Sequence, residues 1–352
     1  MRTDTIILFL LLSVTAPSLF AAEDCSTART YISLAGISED TYYMRVHPNG
    51  NYLLFSGKSV TLVDLTDKVH PKAIPTQMNR EAYPVEANNT WKWIASPNHE
   101  SPVSYSDHIM KYFDFKDSLS RGRESKAVYE DPELNQYYHS AAELPGSSAS
   151  TLHFRTALWY KLQYRDYTVQ LDRDGKPTGV EHTKTKSLCS NLENVNFSEP
   201  ILSKDGTEVA GLTDGNVGYK TTKVYKIKDD NTCEFEYDTG YNTGKVSFSY
   251  PIKGEKAMIT FVASRVDLTG SQPSQFITNA VYVYDPNSKK SYPISTTEEL
   301  QNRNYPGFTQ DGHIYYVVNG EKGFGITIAN AKVLMANRCT ATPSASSQNA
   351  TH

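Results

Sequence analysis

Ser198-Glu-Pro-Ile-Leu-Ser-Lys-Asp-Gly-Thr-Glu-Val-Ala-Gly-Leu-Thr-Asp-Gly215 shows the plan of the chain. A polar pair precedes a proline, and a short apolar step leads into Lys204-Asp205-Gly206. Asp-Gly is turn chemistry: the aspartate side chain bonds its own backbone, and glycine takes the backbone conformations other residues avoid. Glu208 to Leu212 then alternates in polarity with a period of two, the pattern of a half-buried strand. Lys223-Val224-Tyr225-Lys226-Ile227 supplies a second strand to pair with it.

Weaker copies of this unit occur on both sides. His47-Pro48-Asn49-Gly50 separates a strand at 42–46 from one at 52–56, and a further strand follows at 59–65. Asp311-Gly312 separates 304–308 from His313 to Val318. Trp91 to Ala95, Leu152 to Arg155, Tyr167 to Asp172, Ala257 to Val262 and Ala280 to Asp285 also read as strands. Prolines open four of the units, in Tyr83-Pro84, Glu199-Pro200, Tyr250-Pro251 and Tyr305-Pro306. Proline cannot donate to a strand ladder, so it belongs at a strand's first residue. Six openings recur at roughly 40 to 60 residues, the range of propeller blades. The pattern predicts an all-β fold, a six-bladed β-propeller of four-stranded antiparallel sheets. A β-sandwich would not require the same opening, turn and strand order each time.

The repeat resembles the TolB-like, or WD40-like, propeller repeat of exported bacterial proteins. The matching pieces are Pro200 with Ser203-Lys204-Asp205-Gly206, Pro306 with Thr309-Gln310-Asp311-Gly312, and His47-Pro48-Asn49-Gly50. Strand endings Val63-Asp64, Phe113-Asp114, Leu171-Asp172 and Tyr284-Asp285 match the family's later strand. The resemblance covers most of residues 40 to 336. It implies six blades and protein binding in the periplasm. No separate TolB-type N-terminal domain is present in the sequence, so a role in the translocation system does not carry over.

The first 22 residues stand apart. Arg2 precedes an apolar run from Ile6 to Val14, and Pro17 to Ala22 offers small residues for cleavage. This reads as a secretory signal peptide, with the propeller at 23–339 and a Ser/Thr/Ala/Asn tail at 340–352. Nothing else approaches the roughly 20 apolar residues of a membrane span, so none is expected after cleavage. The expected location is the periplasm or the medium, where disulfides persist. Four cysteines allow three connectivities. The expected pairs are Cys25–Cys339, which would lock the ring where the termini meet, and Cys189–Cys233. Four free thiols are the alternative.

A net charge of −4 gives no basic footprint for nucleic acid. There is no Gly-x-Ser-x-Gly elbow and no phosphate-binding glycine loop, so hydrolase and nucleotide chemistry are disfavoured. Residues beside the blade openings are expected to ring one mouth of the channel: Tyr43, Tyr83, His139, Glu199, Tyr250 and Tyr305, with Glu81 and Arg303 nearby. Tyrosine and arginine are enriched where proteins bind one another. The function expected is a non-enzymatic, monomeric binding module without cofactor, holding a protein or peptide partner in the cell envelope. The alternative is a metal-dependent carbohydrate lyase or cyclase-type enzyme, with Glu81, His139 and Glu199 converging in the channel.

Overall fold

The computed structural model describes residues 25, 27–34, 41–57, 59–79, 83–87, 90–95, 110–113, 127–131, 138–158, 162–174, 177–192, 197–214, 220–242, 246–265, 280–295, 306–320 and 323–336. In chain order the strands are β1 (Arg29–Ser33), β2 (Thr41–Val46), β3 (Tyr52–Gly57), β4 (Ser59–Asp64) and β5 (Lys72–Asn79). Then come β6 (Tyr83–Ala87), β7 (Thr90–Ala95), β8 (Met110–Phe113) and β9 (Ala127–Asp131). The next group is β10 (Tyr138–Glu143), β11 (Thr151–Leu158), β12 (Gln163–Leu171), β13 (Pro177–His182) and β14 (Lys186–Ser187). It is followed by β15 (Phe197–Leu202), β16 (Glu208–Asp214), β17 (Lys220–Ile227) and β18 (Cys233–Asp238). The last strands are β19 (Tyr241–Asn242), β20 (Val246–Phe248), β21 (Ile259–Arg265), β22 (Ala280–Asp285), β23 (Lys290–Pro293), β24 (Gly307–Phe308), β25 (His313–Gly320) and β26 (Gly323–Asn330). A short helix, α1 (Ala331–Ala336), follows at once, with the Asn330 side chain accepting the Val333 N–H at 3.2 Å as its N-terminal cap.

These strands form antiparallel meanders arranged as a β-propeller. Among the described residues five sheets have four or five strands: β2 to β5, β10 to β14, β15 to β18, β19 to β23, and a sheet of β24, β25, β26 and β1. Six such sheets were expected, so the count is corrected to five. Between the first and the next, the chain makes two separate two-stranded ribbons, β6–β7 and β8–β9. In this stretch the sequence alternation is weakest, and a two-stranded ribbon has fewer neighbours to pack on. Below, blades one, three, four, five and six are the five sheets in chain order, and the ribbons lie between one and three.

The ring closes through its first strand. β1 pairs antiparallel with β26, from Arg29 opposite Ala329 to Ser33 opposite Gly325. The outer strand of the last blade therefore comes from the start of the described chain, while its other three strands come from the end. Pulling the ring open means breaking a full strand ladder, as in closed sheets that leave no edge.

The core is not one cluster but a series of seams between neighbouring blades. In β25, Ile314, Tyr316 and Val318 pack towards blade five, while Tyr315 and Val317 pack towards blade one. Successive side chains of a strand point to opposite faces, and in a propeller both faces are covered. That is why β25 reads as a continuous apolar run where a one-sided sheet would alternate. The seam of blades three and four holds Ala157, Tyr164, Leu202, Val209 and Tyr225. The seam of four and five holds Ala210, Val224, Phe248, Ile259 and Phe261. Each fully buried Val, Leu, Ile or Phe stabilises by about 1.5 to 3 kcal/mol.

Candidate functional site at the turn-side mouth of the channel

The innermost strands β2, β10, β15, β20 and β24 surround a narrow void of about 60 Å³, lined in part by Arg45, Ala141, Glu143, Ser247 and Pro306. Each inner strand ends in a turn at the same end of the channel. At three blades the turn follows one chemical recipe. In blade four the Ser203 hydroxyl donates to Asp205 at 2.7 Å and accepts the Glu208 N–H at 2.9 Å. The Asp205 carboxylate also accepts the Thr207 N–H at 3.1 Å. In blade six Thr309 donates to Asp311 and accepts the His313 N–H at 3.0 Å. In blade one His47 and Asn49 take the same places, 2.7 Å apart. The fourth residue is glycine because the backbone there has positive φ, 69° at Gly206 and 87° at Gly312. The recurring Ser/Thr-x-Asp-Gly signature is therefore the side-chain capping of a tight turn.

Blades three and five depart from it. Blade three runs Leu144-Pro145-Gly146-Ser147 and onward before β11 begins at Thr151, with the Ser147 hydroxyl accepting the His153 N–H at 2.9 Å. Blade five runs from Ser249 to Met258 before β21, with the Ser249 hydroxyl accepting the Met258 N–H at 2.9 Å. A hydroxyl still receives an N–H near the start of the next strand, but the turn is longer. These two long turns stand on either side of the short one in blade four. Leu144 leans across it: a Cβ at Gly206 would lie 3.1 Å from Leu144 Cδ2.

The unequal turns leave a cleft of about 450 Å³ at this mouth. Its lining includes Glu143, Lys204, Tyr250, Ile252, Gln310 and Lys332. Lys204 Nζ stands 5.1 Å from the centre of the Tyr250 ring, a cation on an aromatic face. Ile252 is 46% exposed at the rim, and the described residues hold few other large apolar side chains so open to water. Pro48, Pro145 and Pro251 stiffen the walls.

Of the residues expected to form one ring, the backbone brings several to the opposite end. Tyr43 lies in β2, Tyr83 begins β6, His139 lies early in β10 and Glu199 lies in β15. The side chains of these residues, and all of Glu81, Arg303 and Tyr305, lie outside the described residues, as does Cys339. Tyr250 does not join that end. Its strand, β20, finishes at Phe248, so Tyr250 sits in the turn, at the position Lys204 and Gln310 hold in their blades. Tyr250-Pro251 imitates the other Tyr-Pro openings in sequence but is used after the inner strand.

At the far end the inner strands are bulged. The register slips between Tyr138 and Ser140, leaving His139 as the extra residue. It slips again between Ser198 and Ile201, where Glu199 and Pro200 stand in the irregular step. A proline without an N–H is tolerated at a bulge, which explains Pro200. Ser140 of blade three bridges this bulge: its hydroxyl donates to the Pro200 carbonyl and accepts the Leu202 N–H, each at 3.0 Å.

The second expected disulfide is present. Cys189 and Cys233 are bonded, with Cα atoms 4.6 Å apart and a separation of 44 residues. It ties the segment between blades three and four to the outer strand of blade four. Closing a loop of that length removes about 4 kcal/mol of unfolded-state entropy in the chain-entropy picture. Asn191 completes the tie by exchanging hydrogen bonds with the Cys233 backbone, at 2.9 and 2.8 Å. Cys25 is disulfide-bonded too.

Sequence reasoning missed a carboxyl cluster beside the cleft, between blades four and five. Lys256 of the long turn meets Glu236 at 3.0 Å, and Glu208, at the start of β16, lies close enough to Glu236 to feel its charge. Burial, then the charge of Glu236, pushes the Glu208 carboxyl up to about 7. Glu236 occupies the step where the β17–β18 register slips, between Val224–Tyr237 and Tyr225–Phe235. No spacing in the sequence signals it, because its members come from three separate elements. Among the described residues no three His, Cys, Asp or Glu side chains are arranged to hold a metal ion.

No protein-family model matches the chain, and no curated protein matches it in sequence. Solved structures do. Hydrazine synthase of Kuenenia stuttgartiensis aligns over 88% of this chain and 83% of its own, at 14% identity and a TM-score of 0.45. The β-propeller domain of Myceliophteria thermophila Cps50 (Swd1) aligns over 86% and 99%, at 9% identity and 0.48. TolB from Acinetobacter baumannii aligns over 88% and 65%, at 14% identity and 0.41. Chains this distant say nothing of what this one binds or does.

Proposed function

We propose that the protein is an exported, non-enzymatic binding module that holds a peptide segment of a protein partner at the turn-side mouth. The observation that carries this is the cleft over blade four, walled by the two long turns and lined by the Lys204–Tyr250 pair and the exposed Ile252. An apolar or aromatic side chain of the partner packs on Tyr250 and Ile252. The mixed charges of Glu143, Asp205, Lys204 and Lys332 supply polar contacts at the rim, the usual division of a binding surface. Export rests on the apolar leader and the disulfides. In this reading Cys25 bonds Cys339, since Cys25 packs on the same cluster as Val333 and Met335 of α1, which ends shortly before Cys339. The two ribbons are neighbours, with β7 lying against β8 and β6 against β10.

A second reading places the partner at the far end, on Tyr43, Tyr83, His139, Glu199 and Tyr305 with Glu81 and Arg303. The bulges at His139 and Glu199 favour it, because bulges re-aim side chains and collect beside functional sites. A displayed peptide library selected on the folded protein separates the two. Under the first reading the selected peptides lose at least about tenfold in affinity with Tyr250→Ala or Ile252→Asp and nothing with Glu199→Ala. The reverse pattern supports the far end. Enrichment insensitive to all three variants overturns both.

A further inference from the structure

Blades six and one enclose a second hollow, a polar groove of about 260 Å³ that adjoins the mouth cleft. Its walls carry Asn49 and Lys68 of blade one, Asp311 and His313 of blade six, Thr30 of β1, and Asn330. Thr309 and Asp311 line the groove and the cleft alike, so the two meet at the blade-six turn. Lys332 lies along the same turn, its Cε 3.5 Å from where a Cβ of Gly312 would stand.

The acceptors of the groove are already in use. Asp311 is the sole carboxylate among the described lining residues. One of its oxygens accepts from the Thr309 hydroxyl, and the other meets His313 Nδ1 at 3.0 Å. The Asn49 side-chain oxygen accepts the Asn51 N–H at 2.9 Å, and that of Asn330 accepts the Val333 N–H at 3.2 Å. The donors are not in use. The amide NH2 groups of Asn49 and Asn330 and the Lys68 ammonium meet no acceptor among the described residues. A carboxylate complements such a wall: it only accepts, and its bonds to an ammonium are charge-assisted.

Local chemistry presents Lys68 for this contact. Asp67 accepts the Val69 and His70 N–H groups at 2.9 and 3.2 Å, which sets Lys68 and Val69 at the tip of a tight turn. Val69 is 79% exposed and offers an apolar contact beside the charge. Of the three large apolar side chains exposed among the described residues, Val69 stands next to the groove and Ile252 at the cleft.

We propose that the groove between blades six and one is a carboxylate subsite, which takes an aspartate or glutamate side chain of the peptide held at the mouth cleft. The segment then crosses the blade-six turn, with its apolar residue on Tyr250 and Ile252 and its acidic residue at Lys68. The peptide as occupant rests on the binding reading above; the donor-lined groove does not. Lys332, exposed beside the path, adds a second positive charge.

The test is the displayed peptide library selected on the folded protein, read first for composition and then by affinity. Peptides selected on wild type are expected to be enriched in Asp or Glu near the apolar residue. Such a peptide should lose about fivefold with Lys68→Ala and about tenfold with Lys68→Glu, and less at high salt. With its acidic residue changed to Asn or Gln, it should bind wild type and Lys68→Glu equally. With that residue changed to Lys, it should recover binding to Lys68→Glu. Lys290→Glu, an equal change of charge on the outer strand of blade five, should shift affinity by no more than about twofold. Lys68 is exposed and bonds nothing, so its variants keep the fold. Absence of acidic enrichment overturns the proposal, as does a Lys68→Glu loss that persists in the neutral peptide or is matched by Lys290→Glu. Peptides that depend on Tyr250 but not on Lys68 overturn the groove and keep the cleft. Peptides that depend on Lys68 but on neither Tyr250 nor Ile252 keep the groove and overturn the cleft. Dependence on none of the three overturns both.

Discussion

The seam between blades six and one and the seam between blades four and five join the same kind of surface with different chemistry. The middle of the closing seam is apolar. Met44, Val46, Leu53 and Phe55 meet Tyr315, Val317, Ile326 and Ile328 there. Its polar ties include the Tyr315 hydroxyl, which donates to the Gly50 carbonyl at 3.1 Å, and the Gln310 N–H, which donates to the Pro48 carbonyl at 2.8 Å. Burial pushes the Tyr315 phenol up to about 12, so it stays a donor at any physiological pH. The seam of blades four and five has an apolar middle too, but carries the Lys256–Glu236 ion pair at one edge, with the Glu208 carboxyl beside it raised by burial. The difference follows from connectivity. Blades four and five are consecutive in the chain and cannot drift far apart. Blades six and one are joined through space and through β1, and the weight of their seam falls on apolar packing.

The sharpest way to break that contrast is at the closure. Gly325 lies opposite Ser33, and a Cβ there would overlap the Ile32 carbonyl oxygen and come within 2.6 Å of the Tyr31 ring. Gly325→Val should detach β1 and cost at least about 3 kcal/mol, seen as a large fall in the thermal midpoint at every pH. A variant as stable as wild type would show that β1 is not what closes the ring. A smaller effect is expected where blades six and one touch directly. A Cβ at Gly307 would lie 2.6 Å from Val46 Cγ2. Gly307→Ala should cost about 1 to 3 kcal/mol, and Val46→Ala in the same molecule should recover part of it. Simple additivity in that double-mutant cycle would mean that the two blades are looser there than the packing implies.

Much of the architecture was legible because it is written in local chemistry. The turn recipe of Ser203-Lys204-Asp205-Gly206 is built from side chains that bond their own backbone, so it shows in a short window. The Cys189–Cys233 pair could be read from export and proximity in sequence. Blade count was not legible between Tyr83 and Asp131, where alternation is weak and the strands form two ribbons. Tyr250 was misplaced because a Tyr-Pro dipeptide looks the same before an inner strand as after one; only the pairing of β20 with β21 distinguishes them. The closing role of β1 and the carboxyl cluster were hidden for a common reason. Arg29 to Ser33 finds its partner in β26, at the other end of the chain, and Glu208, Glu236 and Lys256 meet only once two blades have packed. Long-range pairing of this kind leaves no spacing signature.

The smallest expected effect tests whether the polar edge of the four–five seam is costly in itself. Tyr237 is buried, stacks on Tyr284, and its hydroxyl has no hydrogen-bond partner among the described residues. A buried polar atom left unsatisfied costs free energy, whereas removing it while keeping the ring keeps the packing. Tyr237→Phe should therefore be neutral or stabilise by up to about 1 kcal/mol, with the gain independent of pH because the phenol does not ionise in the accessible range. Equilibrium urea unfolding at pH 6 and pH 8 checks both points. A loss of more than about 1 kcal/mol would mean that the hydroxyl has a partner, such as a buried water linking it to the carboxyl cluster. A loss confined to pH 8 would place that partner on ionised Glu208. The hydroxyl would then belong to the carboxyl cluster, and the four–five seam would depend on polar contacts more deeply than its apolar middle indicates.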